Sequence, residues 1–282
     1  MHHLICPVCT STLALTESHK SLQCEHQHLF DLAKKGYANL LLSQNKKSKK
    51  PGDTSDMVLA RTEFLDRGYY QGIAQTFENL ALKHLSNTNI SYCDLACGEG
   101  YYTNRLHQKL NDQFTHITTT GIDISTPAIK AACNRSKEIQ WLIASTSRIP
   151  LESNSQDLVS GLFFHFDLEE IERILKPEGI AILVNTGPNH LIELRKAVYD
   201  EIKEEKDVQI INHTKNLKHH KAETFQQNIS LSNSKEILQL LAMTPHYWRA
   251  KPEKKDALSS LSTLDLTLDV QLDIFIKTAK LT

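Results

Sequence analysis

Four residues near the amino terminus have the types and the spacing to hold a metal ion. Cys6 and Cys9 stand as C-x2-C, Cys24 follows after a hairpin-length spacer, and His28 completes a C-x3-H pair. Thiolates and a neutral imidazole in two short knuckles suit a tetrahedral Zn2+ ion. The spacer alternates apolar and polar residues at Leu13–Glu17 and again at Ser21–Cys24, so it can form a two-stranded ribbon that brings the knuckles together. By spacing alone His26 competes with His28 for the fourth position, and C-x3-H gives the freer reach. A segment this short has little core, so the metal supplies its folding free energy.

A second constellation lies in the middle of the chain. Asp94 to Gly100 reads D-L-A-C-G-E-G, at the turn where the apolar run 91–97 ends. Gly98 and Gly100 allow a sharp strand-to-helix turn and a close backbone approach to a ligand. Asp123 ends the next apolar run, where a carboxylate can accept both ribose hydroxyls of an adenosine ligand. Ala96 and Cys97 stand where a dinucleotide fingerprint needs its first glycine. The pattern therefore favours S-adenosylmethionine over NAD.

These residues need a scaffold. Short apolar runs at 91–97, 116–124, 139–145, 157–164 and 179–186 alternate with amphipathic stretches, as in a doubly wound parallel sheet. Leu264 to Ile276 alternates apolar and polar residues, predicting a long strand with one wet face, in a terminal antiparallel hairpin with about 222–231. Cys93, Cys97 and Cys133 have no ligand spacing and read as core thiols. The expected division is a zinc ribbon over 1–42, a basic linker with helices over 43–88, and the cofactor-binding domain over 89–282.

Composition sets the class. The 282 residues are 40% hydrophobic and 23% charged, with a net charge of −1. No run approaches the ~18 apolar residues of a membrane span. The first residues lack the basic and apolar regions of a signal peptide, which predicts a cytoplasmic protein with reduced thiols. Residues 1–50 hold seven lysines against three acids. Such a basic arm is either a solvated loop or a phosphate contact.

Both constellations together resemble the RlmA family of 23S rRNA (guanine-N1)-methyltransferases. The resemblance rests on CPVC (6–9) and C-x3-H-x-FD-x-AK-x-GY-x-NLL (24–41). It continues through PGD (51–53), FLDRGYY (64–70), DLACGEGYYT (94–103), ILKPEG (174–179), TGPNHL (186–191) and MTPHYWRA (243–250). It implies a Rossmann-like class I methyltransferase fold with a small amino-terminal zinc ribbon, acting as a homodimer on an rRNA hairpin. It implies zinc at Cys6, Cys9, Cys24 and His28, and cofactor contacts from Tyr70, Gly98, Glu99 and His190, beside Asp94, Gly100 and Asp123. Overall similarity to the Gram-negative type implies the guanine at rRNA position 745. One departure stands at the acceptor rim: the family's Tyr-Ala-Pro-Cys stretch is here Phe163-Phe164-His165-Phe166.

Guanine N1 carries a proton and lies on the pairing edge, so the base must be unpaired and deprotonated. His165 and Asp167 are the candidate proton acceptors, although Asp167 also suits the N-cap of the helix that follows. The three phenylalanines could stack on the base or pack against the sheet. Contacts to RNA are expected from the ribbon, from Lys34 to Lys50 and from 213–221. The competing readings are a small-molecule methyltransferase and an RNA-binding scaffold without turnover.

Overall fold

The computed structural model describes residues 2–45, 51–202 and 214–279. The first strands are β1 (Ala14–Leu15), β2 (Ser21–Gln23) and β3 (Leu29–Asp31), which form a three-stranded antiparallel ribbon. Ala14 pairs with Gln23 and Leu15 with Leu22, the hairpin expected of the alternating spacer. Next come β4 (Ala38–Asn39), α1 (Ser55–Asp66) and α2 (Gln71–His84). The alternating core follows: β5 (Asn89–Leu95), α3 (Tyr101–Gln113), β6 (His116–Asp123), α4 (Thr126–Arg135), β7 (Gln140–Ile143), β8 (Gln156–Leu162), α5 (Leu168–Ile174), β9 (Leu175–Thr186) and α6 (Ile192–Val198). The last elements are β10 (Leu217–Leu231), α7 (Ser234–Ala242), α8 (His246–Arg249), α9 (Pro252–Ser259) and β11 (Leu264–Lys277).

Local chemistry sets the helix starts. Thr54, Ser125, Asp167 and Asn233 cap α1, α4, α5 and α7, each side chain accepting a backbone N–H of the first turn. Pro127 adds the fixed φ suited to an opening turn.

The large sheet has the order β10-β11-β9-β8-β5-β6-β7-β4. From β9 to β4 every pairing is parallel, and β11 and β10 add antiparallel strands. Helices cover both faces: Phe64, Ile73, Phe77, Leu106 and Leu240 pack on one, Ile171 and Ile174 on the other. The order reverses between β5 and β8, which opens a crevice at their carboxyl ends.

Two features depart from the sequence reading. β4, just behind the ribbon, is the edge strand of the large sheet, with Ala38 and Asn39 opposite Leu142 and Ile143. The ribbon itself is docked: Leu4 bridges to Leu151, His3 Nδ1 lies 3.2 Å from Glu152, and Leu4, Leu13 and Leu22 share a cluster with Leu142 and Leu151. The second departure is β11, which has no wet face along its middle. It runs between β9 and β10, and its polar positions Asp269 and Asp273 are buried. Hydrogen bonds make that burial tolerable. Asp269 accepts from Asn189 N–H at 2.9 Å and from the Gln226 amide at 3.1 Å, and Asp273 accepts from Gln271. The alternation is real, but both of its faces are covered.

Candidate active site and metal centre

The two knuckles of the ribbon are built alike. Cys6 C=O accepts from Thr10 N–H at 2.9 Å, and Cys24 C=O from Gln27 N–H at 2.9 Å. Thr10 and Gln27 both adopt a left-handed conformation, φ 65° and 62°. These turns aim the ligand atoms of Cys6, Cys9, Cys24 and His28 inward, all within 4.8 Å of one another. Cys9 Sγ and Cys24 Sγ are 3.7 Å apart, and His28 Nδ1 is 3.6 Å from Cys6 Sγ and 3.4 Å from Cys24 Sγ. Zinc bonds of ~2.3 Å to sulfur and ~2.0 Å to nitrogen give tetrahedron edges of about 3.5–3.8 Å, so the donors fit zinc. His26 is outside this cluster. Its exposed ring takes Ser11 Oγ at 3.2 Å.

The crevice at the switch point is a cavity of about 720 Å3. That volume lies in the upper part of the ~300–1,000 Å3 range of ligand pockets and leaves room for a nucleoside cofactor beside a planar acceptor. Its cofactor side is the turn between β5 and α3. Gly98 and Gly100 have φ of 58° and 81°. A Cβ on Gly100 would come within 2.7 Å of the Trp141 ring, so this position needs glycine for space as well as for conformation. Asp123 closes the turn: Gly98 N–H donates to one carboxylate oxygen at 2.9 Å and Ser125 N–H to the other at 2.7 Å. Asp94 sits beneath, accepting Thr103 Oγ1 at 2.5 Å and Ser160 Oγ at 2.6 Å. Burial raises its carboxyl to about 7, partly offset by those hydroxyls.

Glu99 lines the cavity, yet its carboxylate is engaged elsewhere. Arg135 Nη2 donates to it at 2.8 Å, tying the turn to α4. Burial still raises its pKa, against the pull of Arg135. Asp53 and Arg61 form an ion pair across the mouth, and Asp53 C=O accepts Ser125 Oγ at 2.8 Å.

Tyr70 and His190 meet on the far wall, with the Tyr70 oxygen 3.4 Å from His190 Nε2. Asp269 N–H donates to His190 Nδ1 at 3.2 Å, so the proton of the neutral ring belongs on Nε2, facing Tyr70. Burial holds His190 down to about 4. Its folded value thus lies below the ordinary 6.5. As pH falls below 6.5 the unfolded chain takes the proton first, and stability is lost until about pH 4. Between pH 8 and pH 5 wild type is expected to lose about 2 kcal/mol more than His190→Gln. Urea unfolding of both at the two pH values measures this, and parallel losses would show that His190 titrates as if in water.

The acceptor side is the carboxyl end of β8 and β9. Phe164 and Phe166 stack edge to face at 4.7 Å and join the core, with Phe164 against Gly161. Phe163 joins none of the core clusters. It stands 38% exposed at φ 60°, its ring 5.9 Å from His190, 6.4 Å from Tyr70 and 6.5 Å from Tyr102. Ala96, Phe163 and Leu191 all line the cavity with positive φ, a concentration of backbone strain of the kind held at functional sites. His165 is exposed at the rim and lines the cavity. Asp167 does not line it; its carboxylate accepts Glu170 N–H at 3.2 Å as the N-cap of α5. Sequence reasoning missed Asp53, Arg61, Tyr102, Asn185 and Asp269. PGD and the strand end before TGPNHL were the signals for Asp53 and Asn185.

Fold and site together define a class I methyltransferase that uses S-adenosylmethionine, with a zinc ribbon at its amino end. Residues 4–49 match the RlmA N-terminal family, and 93–183 match a methyltransferase domain. The amino-terminal ribbon is thus similar to that of the RlmA family, and a methyltransferase domain follows it. A Bacillus subtilis (strain 168) protein, provisionally named as a 23S rRNA (guanine-N(1)-)-methyltransferase, is 28% identical and covers 96% of each chain. The 23S rRNA (guanine(748)-N(1))-methyltransferase of Streptomyces fradiae is 29% identical over 70% of this chain and 68% of its own. A solved Bacillus halodurans C-125 structure, described as a candidate methyltransferase, shares the fold at a TM-score of 0.50 with 15% identity, covering 71% of this chain and 98% of that one. Among the described residues, no helix is long and apolar enough to cross a membrane.

Proposed function

We propose that this chain transfers the methyl group of S-adenosylmethionine to N1 of a guanine in a hairpin loop of 23S rRNA. The observation that supports this most is the union, in one chain, of an RlmA-type ribbon and a rim cavity with carboxylates on one side and an aromatic ring outside the core clusters on the other. Relatives covering most of the chain carry names for the same reaction. When bound, the cofactor supplies an electrophilic methyl group on a sulfonium.

The chain's residues divide the remaining work. Asp123 offers its outward lone pairs to the ribose hydroxyls, while Gly98 and Gly100 bring the backbone against the cofactor. Asp94 and Glu99 stiffen that turn from behind. Tyr70 and His190 form the opposite wall. His165 takes the N1 proton at the rim and passes it to water. Cys6, Cys9, Cys24 and His28 hold zinc. Exposed Lys34 and Lys218 are phosphate contacts in this reading. Lys35 is already engaged with Lys130 C=O and Asn134. Lys46, Lys47, Lys49, Lys50 and His213 lie outside the described residues. A cytoplasmic homodimer completes the reading; sedimentation velocity would give its size.

Primer extension tests the reaction. Deproteinised 23S rRNA from cells lacking this methylation is incubated with the protein and cofactor. A methyl on N1 blocks pairing, so reverse transcriptase is expected to stop one nucleotide before the modified guanine. The stop also separates position 745, expected from overall similarity, from the 748 named for the Streptomyces fradiae relative. Absence of any stop, with cofactor bound, would favour a small-molecule acceptor or a scaffold without turnover.

A further inference from the structure

Among the described residues, three buried side-chain polar atoms have no hydrogen-bond partner: His84 Nε2, Tyr102 Oη and Asn185 Nδ2. Buried polar groups are nearly always satisfied, so an orphan asks for an explanation. Two of the three line the cavity already described. Tyr102 comes from the first turn of α3 and Asn185 from the last residues of β9, so they reach one space from different elements. The Tyr102 ring faces Phe163 at 6.5 Å. At the Asp123 and Asp94 end of the cavity, Gly98 N–H, Ser125 N–H and the hydroxyls of Thr103 and Ser160 are already paired. The two unpartnered side-chain groups lie towards the acceptor side, Asn185 at the end of β9 and Tyr102 beside Phe163.

Both orphan groups can donate: an amide N–H at Asn185 and a phenol O–H at Tyr102. Burial also pushes the Tyr102 hydroxyl well above its ordinary pKa, so it keeps its proton. A purine lying on Phe163 would present its Watson–Crick edge to these donors. On guanine the atom beside N1 is O6, an acceptor with two lone pairs. On adenine the same position carries an amino group, which two donors would reject.

We propose that Asn185 and Tyr102 form a donor pair that holds O6 of the acceptor guanine while its ring stacks on Phe163. This rests on the guanine-N1 reading above and gives it a mechanism. N1 loses its proton to His165, and the charge left on the base spreads onto O6. Donors already aimed at O6 stabilise that charge, as an oxyanion hole does. The N1 lone pair forms the bond to the methyl carbon, the carbon–sulfur bond breaks, and its electron pair returns to sulfur. The pair therefore selects guanine and eases its deprotonation at once.

The test uses the full chain with deproteinised, unmethylated 23S rRNA, comparing wild type, Tyr102→Phe and Asn185→Leu. Cofactor affinity is read by calorimetry, and single-turnover methylation is followed across pH 6.5–9.5. Each variant is expected to bind S-adenosylmethionine within about twofold of wild type. Each should methylate about 10- to 100-fold more slowly at neutral pH. The deficit should shrink as pH rises, because alkali removes the N1 proton without help. Tyr102→Phe deletes only an unpartnered hydroxyl, so the free protein should melt no lower than wild type, which separates the effect from misfolding.

Cofactor affinity reduced tenfold, with an unchanged rate at saturating cofactor, would assign the pair to the cofactor and overturn the proposal. So would unchanged rates in both variants, or a deficit that is constant with pH. If wild type itself leaves the rRNA unmethylated, the guanine-N1 reading fails and this inference fails with it. Unaltered variants beside an active wild type sink the inference alone.

Discussion

Cys24→Ser is expected to abolish zinc retention and to lower the melting temperature of the whole chain by roughly 10 °C. Three observations lead there. The ligand atoms stand at zinc's own tetrahedral spacing, so removing one thiolate breaks the set. The ribbon has too few apolar residues to hold its two knuckles without the ion. Its Leu4, Leu13 and Leu22 are also part of a cluster that includes Leu151 and, from the large sheet, Leu142, Leu175 and Leu183. Losing such a share of a core costs about 3–5 kcal/mol, and each kcal/mol moves the melting point of a chain this size by about 2–4 °C. Metal analysis after gel filtration and a calorimetric scan measure both parts. Zinc lost with an unchanged melting point would mean that the ribbon folds independently of the sheet.

Asp123→Ala is expected to weaken S-adenosylmethionine binding at least about 100-fold. The carboxylate does two things at one place. It pulls Gly98 N–H and Ser125 N–H together, fixing the turn that receives the cofactor. In the proposed complex it also accepts from the ribose. Hydrogen bonds to a charged group contribute about 1.5–3 kcal/mol each, and two of them exceed the ~2.8 kcal/mol that corresponds to 100-fold. Asp123→Asn keeps one acceptor oxygen and should lose about tenfold. Titration calorimetry ranks the three proteins. Equal affinity for wild type and the alanine variant would remove Asp123 from the site.

The parts of the molecule legible in the sequence are those where one residue type answers one local need. C-x2-C and C-x3-H read as knuckles because a ligand set has fixed spacing. Asp94, Gly98, Gly100 and Asp123 read as a cofactor turn because positive φ and a strand-end carboxylate leave residue signatures. Asp167 read as an N-cap and is one. What escaped depended on pairing across the chain. Period-two patterning in β11 gave the strand and its partner correctly, but said nothing of α6, the 187–190 turn and Gln226, which cover its polar side. As letters, Tyr102 is a helix residue and Asn185 a strand-end residue. Only the fold shows that their polar atoms are buried without partners. The three phenylalanines were indistinguishable as letters, and packing separates Phe163 from the other two.

The position of β11 has a consequence in time. A chain emerges from the ribosome in sequence order, so the knuckles of the ribbon and strands β5 to β9 are available long before residues 264–277. Zinc can be captured early. His190, however, depends on β11: Asp269 holds the turn from Gly187 to Asn189 and fixes the imidazole through its own N–H. A chain interrupted near residue 260 would therefore carry its metal and most of its sheet, yet lack one finished wall of the methyl-transfer cavity. Synthesis order thus places the completion of this wall after the ribbon and after strands β5 to β9.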